Sequence, residues 1–259
     1  MSRWFTFVSI LTLLVLATHA VGQNRPASDP LALAYAAQSI AALTGGVAIS
    51  DVTLTGTASW TAGSYNETGS ASLLAKGPTK SRIDLALKGG SRSEVRNSVA
   101  GAPQGEWIGT DAASHLYAVF NCWTDPVWFF PALSSLSLTN PNAVLSYVGQ
   151  ETRNGASVQH LRSYLYLPTQ PLAQQSSTME FYLDSVSFLP VAIVFNVHPD
   201  SDGGVNLPTE VDFSQYQVVN AVQVPFHIQR SLNSSVALDI SLTSAAVNSG
   251  LPDSDFILQ

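Results

Sequence analysis

Residues 222–245 read VQVPFHIQRSLNSSVALDISLTSA, and their period decides the fold. Val222, Val224, Phe226 and Ile228 stand at every second place, and so do Val236, Leu238, Ile240 and Leu242. Gln223, His227, Gln229, Asp239 and Ser241 stand between them. Side chains alternate across an extended backbone, so each run predicts a strand with one dry face and one wet face. The intervening Leu232-Asn233-Ser234-Ser235 is turn chemistry and predicts a hairpin. Pro225 has no N–H to give to a ladder and marks a slip of phase.

The same period recurs outward from this stretch. It appears in DVTLTGTASW (51–60), RIDLALK (82–88), MEFYLD (179–184) and LPVAIVFNVHP (189–199). AGSYNETGS (62–70), KGGS (88–91), RNGA (153–156) and HPDSDGG (198–204) punctuate it with turn residues. About ten strands joined by short turns describe an antiparallel meander closing into a barrel or part of one. Leu54, Leu85, Phe195, Phe226, Ile228 and Ile240 are expected on its concave face. Thr55, Asp84, His227 and Asp239 are expected outside.

Two segments break the pattern. Residues 28–46, SDPLALAYAAQSIAALTGG, predict a helix capped by Ser28 or Asp29, with Pro30 in its first turn and Gly45 or Gly46 at its end. Leu33, Ala36, Ala37, Ile40 and Leu43 or Thr44 form its apolar stripe, which is expected to pack on the domain. Its other face has no Lys or Arg, as a lipid-surface helix would need. The second break runs over about residues 102–140 and contains NCWTDPVWFFP (121–131). Thr124 or Asp125 can cap a helix starting at Pro126, Trp128, Phe129, Leu133 and Leu136 recur at helical spacing, and Pro131 is expected to kink it. Residues 123–133 read either as a movable cover over the concave face, docked with little energy to spare, or as plain core.

Residues 1–22 read as a secretory signal peptide: Arg3, an apolar run, then small residues. Ala20-Val21-Gly22-Gln23 has glutamine where a bacterial lipobox has its lipidated cysteine, so cleavage before Gln23 and no stable membrane anchor are expected. Residues 23–259 are expected to form a single domain. The whole chain carries −7, and losing Arg3 with no acid leaves −8. That charge disfavours nucleic acid, whose phosphates need a positive surface. One cysteine, Cys122, leaves no intramolecular disulfide, and it reads as a small buried hydrophobe.

Nothing in the chain signals an enzyme, and no cofactor or metal is expected. His115, His160, His198 and His227 show no metal-ligand spacing, and no nucleophile elbow or phosphate loop occurs. His198 and His227 are expected on wet strand faces. Residues 200–204, DSDGG, lack the closing Glu of a calcium loop and read as a turn. Asn66 and Asn233 stand in glycosylation-type sequons and predict exposed turns.

The C-terminal residues 211–258 resemble the end of the periplasmic outer-membrane lipoprotein-sorting proteins. The resemblance is carried by Tyr216 in a strand, the turn Asn220-Ala221, Pro225 in the next strand, then Asn248 and Phe256. Those proteins usually have Gly where this chain has Ala221. The resemblance implies a mainly β, antiparallel, incomplete half-barrel covered by an N-terminal helix and a helical insert. It also implies a hollow that takes lipid or the acyl chains of a lipoprotein, in a protein secreted to a bacterial periplasm. On that reading Trp123, Trp128, Phe129, Phe130, Leu133, Phe195 and Phe226 are the candidate ligand-binding residues. Two other readings compete: a non-catalytic interaction or envelope-sensor module on the same fold, and an outer-membrane β-barrel. The predicted helix and helical insert weigh against the barrel.

Overall fold

Strand β1 (Asp51–Ala62) begins in the middle of the sheet rather than at its edge. From there the chain steps outward through β2 (Tyr65–Lys76), β3 (Lys80–Leu87), β4 (Gly90–Val99) and β5 (Ala102–Ile108). It reaches one edge at the short β6 (Ser114–Leu116). Residues 117–142 cross to the opposite edge, where β7 (Ala143–Arg153) starts the return. β8 (Ala156–Leu165), β9 (Met179–Asp184), β10 (Pro190–Val197), β11 (Leu207–Val219) and β12 (Val222–Leu232) lead back to β13 (Ser235–Val247). β13 then pairs antiparallel with β1. The computed structural model describes residues 25–257; the predicted signal peptide and its cleavage site lie outside them.

The result is one antiparallel sheet of thirteen strands, open between β6 and β7, which is the incomplete barrel. β4, β5 and β6 lie in stretches that show little alternation, so the sequence reading counts too few strands. The sheet is bent by irregularities in register at Thr55/Gly56, Tyr147/Gly149, Pro190/Ala192 and Arg230/Ser231. At Gly56 a Cβ would stand 2.2 Å from Ser241 O, so only glycine lets β13 approach there. Pro225 faces Tyr216 on β11, and β12 pairs with β13 only from His227 onward. The proline sits where no donor is required. The slip of phase belongs instead to β11, at Gln215 with φ 55°.

The inward faces are as the alternation predicts. Leu54, Leu85, Phe195, Ile228 and Ile240 are buried, and half-buried Phe226 packs on the same core. Thr55, Asp84, His227 and Asp239 are partly open on the outer face.

Helix α1 (Pro30–Thr44) forms where predicted. Asp29 accepts from Leu31 N at 2.7 Å, and Gly45 ends the helix in the left-handed region at φ 57°. The buried stripe is rotated from the predicted one. Ala32, Ala36, Ser39 and Leu43 face inward, while Leu33 is 47% exposed and Ala37 is also exposed. Small inward side chains bring the helix close, and a Cβ on Gly45 would lie 2.5 Å from Ala221 O in the β11–β12 turn. Ahead of α1, Asp29 N donates to Leu145 O and Ser28 Oγ accepts from Leu145 N, so this segment covers part of the β7 edge.

The residues that carry the family resemblance make structural bonds. Asn248 accepts from Ser50 N at 2.8 Å and donates to Ala48 O at 2.9 Å. Phe256 is fully buried, and its carbonyl accepts from Asn97 at 2.9 Å. The Tyr216 hydroxyl donates to Pro190 O at 2.8 Å.

Candidate functional site

The chain must travel from β6 to β7, and the concave face lies between those edges. The aromatic segment therefore fills the hollow. Val127, Phe129, Phe130 and Leu133 have no exposed surface, and Trp128 is 3% exposed. They share one apolar cluster with the inward residues of both halves of the sheet. The local structure differs from the prediction. A 3₁₀ turn spans Val119–Trp123, turns occupy 126–129, and α2 (Pro131–Ser134) starts at its proline. Pro131 opens a helix rather than kinking one, since a missing N–H costs nothing in a first turn. A short helix, α3 (Pro171–Ser176), in the β8–β9 connection was not foreseen.

Polar bonds hold this plug. Arg96 on β4 donates to Asn121 O at 2.6 Å. Asn121 donates to His198 O at 2.8 Å and accepts from His198 N at 2.9 Å, matching strand-like bonds to the end of β10. Asp125 accepts from Val127 N at 2.8 Å and from the Ser134 hydroxyl. Burial pushes the Asp125 carboxyl up to about 6, against the pull of those two donors and of Arg96. Cys122 is buried, and burial likewise pushes its thiol up, away from the reactive thiolate. His198 is 5% exposed, contrary to the wet face expected for it. It lies just past the end of β10, where alternation no longer sets the direction of a side chain.

Among the described residues, three clefts touch the aromatic side chains of the plug. The first, about 330 Å³, lies against β1, β3–β5 and β12–β13, with Trp60, Ile83, Leu85, Trp107, Trp128 and Leu238 in its wall. The second, about 290 Å³, shares Glu94, Tyr117, Trp128, Val197 and Arg230 with the first. It continues toward His198 and Asp200. The third, about 410 Å³, lies beyond the plug beside Trp123, Pro126, Leu136, Met179 and Phe181.

The predicted site residues are thus divided. Trp128 borders the first two clefts, Phe195 the second and Trp123 the third. Phe129, Phe130 and Leu133 are the packed centre of the plug, and Phe226 is part of the wall behind it. Arg92, Glu94, Arg96 and Arg230 were missed. A signal for them exists: they occupy the inward period of β4 and β12, where an apolar residue is expected, so each is a charge turned toward the hollow.

This geometry has known counterparts, although no family model and no curated protein matches the chain. An outer membrane lipoprotein-sorting protein domain from Vibrio parahaemolyticus superposes with TM-score 0.55 at 13% identity, over 85% of this chain and 94% of that one. The chain has the fold of the lipoprotein-sorting superfamily. A LolA superfamily protein from Nitrosomonas europaea gives 0.55 at 9% identity, covering 87% and 97%. A DUF1329 family protein from Desulfovibrio piger gives 0.56 at 12%, covering 90% and 100%.

One group outside the hollow has the elements of a catalytic row. Ser214 Oγ lies 3.0 Å from His227 Nδ1, and His227 Nε2 lies 3.1 Å from Asp239. These residues come from adjacent strands on the outer face, Ser214 is exposed, and Gln229 also donates to Asp239. None of the three clefts reaches the row. Acyl transfer needs a walled site with donors aimed at the developing oxyanion. As it stands, the row is a cross-strand polar ladder of the lipoprotein-sorting fold's outer surface.

Proposed function

We propose that this protein is an exported, non-catalytic carrier or binding protein of the bacterial envelope, which holds the acyl part of a lipid or lipoprotein in its hollow. One observation carries the reading: the aromatic plug leaves two adjacent clefts that share the wall at Trp128, the first also walled by Trp60 and Trp107, on the concave side of an open sheet. Ligand pockets are concave, mostly apolar and carry a few placed polar groups. The fold it shares with lipoprotein-sorting structures supports the same reading. Trp123, Trp128 and Phe195 are the proposed contact residues, while Phe129, Phe130, Leu133 and Phe226 support them from behind. Native mass spectrometry of the mature protein, purified without detergent, tests it. Acyl-bearing species retained by the folded protein are expected. A protein that stays empty after incubation with long-chain lipids would favour the interaction-module reading instead.

A further inference from the structure

The first cleft is walled mainly by tryptophan, leucine and isoleucine, and three charged residues border it: Arg92, Glu94 and Arg230. Two of the three are matched. Arg92 lies 3.6 Å from Glu67, with its guanidinium 3.9 Å from the Trp60 ring. Glu94 lies 3.7 Å from Arg96.

Arg230 is left over. It has no ion pair among the described residues, and its guanidinium stands 4.8 Å from the Trp128 ring. Its place on β12, two residues after buried Ile228, turns its stem toward the hollow rather than the wet face. Its pairing neighbours on the adjacent strands, Val211 and Leu238, are both buried. The side chain is half-buried and borders the cleft. A cation held against apolar surface is compensated only in part by a ring face. The wall therefore has one positive charge to spare, beside an apolar chamber of about 330 Å³. That volume is at the small end of ligand cavities and suits one chain rather than several. The planar guanidinium fork fits a carboxylate through two parallel N–H bonds.

We propose that the first cleft binds a single-chain fatty acid as its anion. The carboxylate pairs with Arg230, and the chain lies among Trp60, Leu85, Trp107 and Leu238. This inference rests on the carrier reading and narrows it to a free acyl chain with one negative charge. Acyl groups held in an ester or an amide carry no charge and leave Arg230 unanswered. A doubly charged phosphate head brings more charge than the wall leaves over, beside Glu94.

Titration calorimetry of the mature protein with dodecanoate, 1-dodecanol and butyrate tests this. Dodecanoate should bind at least tenfold tighter than the alcohol, which has the chain without the charge. Butyrate, which has the charge with little chain, should not bind measurably. Arg230→Met, which keeps the apolar stem, should remove the preference for the acid over the alcohol. Ala237→Trp, at a half-buried position in the cleft wall, should fill the chamber and weaken both long-chain ligands severalfold. Circular dichroism melts report whether the variants fold, and if one does not, the three ligands on the unaltered protein decide the matter. Equal binding of dodecanoate and dodecanol, or a preference that survives in a folded Arg230→Met, overturns the proposal while leaving a carrier. Butyrate binding as tight as dodecanoate marks a simple anion site and overturns it as well, and so does a folded Ala237→Trp with unchanged affinity. If neither long-chain ligand binds, the proposal falls, and the acyl species sought by native mass spectrometry judge the carrier reading separately.

Discussion

Two buried aspartates show how opposite environments act on one side-chain type. Burial pushes the Asp51 carboxyl up, but bonds from Ser50, Ser249 and Gly250 outweigh it and hold the group below its ordinary 3.8. A carboxyl depressed in the folded state adds stability above the unfolded value and loses it as pH falls through the folded value. Asp125 is the reverse. Its folded value of about 6 makes it bind protons more tightly when folded, so the protein loses stability as pH rises from about 4 to 6. Urea melts across pH should separate them. Asp51→Asn should cost on the order of 1–2 kcal/mol at pH 7 and much less below pH 4. Asp125→Asn, which keeps an acceptor for Val127 N, should gain stability at pH 7 relative to pH 4.5. A second residue-scale prediction concerns the plug. Phe130 has no exposed surface, so Phe130→Ala should cost about 3–5 kcal/mol. A loss below about 1 kcal/mol would mean that the segment docks loosely, as a movable cover requires.

At the scale of elements, α1 and the β11–β12 turn meet at a single point. Asn220 and Ala221 hold φ 49° and 68°, the left-handed pair of a tight hairpin turn. Alanine is strained there and glycine is not, so Ala221→Gly should stabilise by up to about 1 kcal/mol in thermal or urea melts. Gly45→Ala should do the opposite by at least 1 kcal/mol, since its Cβ would stand 2.5 Å from Ala221 O at φ 57°. The helix should then loosen from the sheet before the sheet unfolds, which hydrogen exchange over α1 would register as protection lost there alone.

For the whole molecule, the path of the chain explains the plug. Each half is a local meander, β1–β6 and β7–β13, and the two halves meet at the β1–β13 seam. The connection between them must span the open side, so its apolar residues complete the core of both. Native-state hydrogen exchange should therefore find the amides of Phe130, Leu133 and Ser134, which donate within the plug, protected to the level of the central strands. Exchange at the rate of the β6 edge would show a segment that opens independently. The same path leaves the clefts at the borders between plug and sheet, where neither meander alone would enclose a volume.

Much of the strand order was legible in the chain because alternation is a local signal. A residue such as Ile228 or Ile240 declares its face by its neighbours, and the turn at Asn233-Ser234 declares its hairpin. The helix cap at Asp29 and stop at Gly45 were legible for the same reason. The facing of α1 was not, because Ala32, Ala36 and Leu33 are all apolar and only the close approach to the turn at Ala221 selects the small ones. The site was legible in part. A concentration of aromatics in residues 121–131 marks a segment that must be covered, but composition does not say whether a ligand or the sheet covers it. That Arg230 and His198 border one cleft was hidden, since one stands on β12 and the other just past the end of β10, and they share a wall only once the sheet curves. Period, caps and turns act over a few residues and are written in the chain; cavities and unpaired charges arise between distant strands, and packing alone decides them.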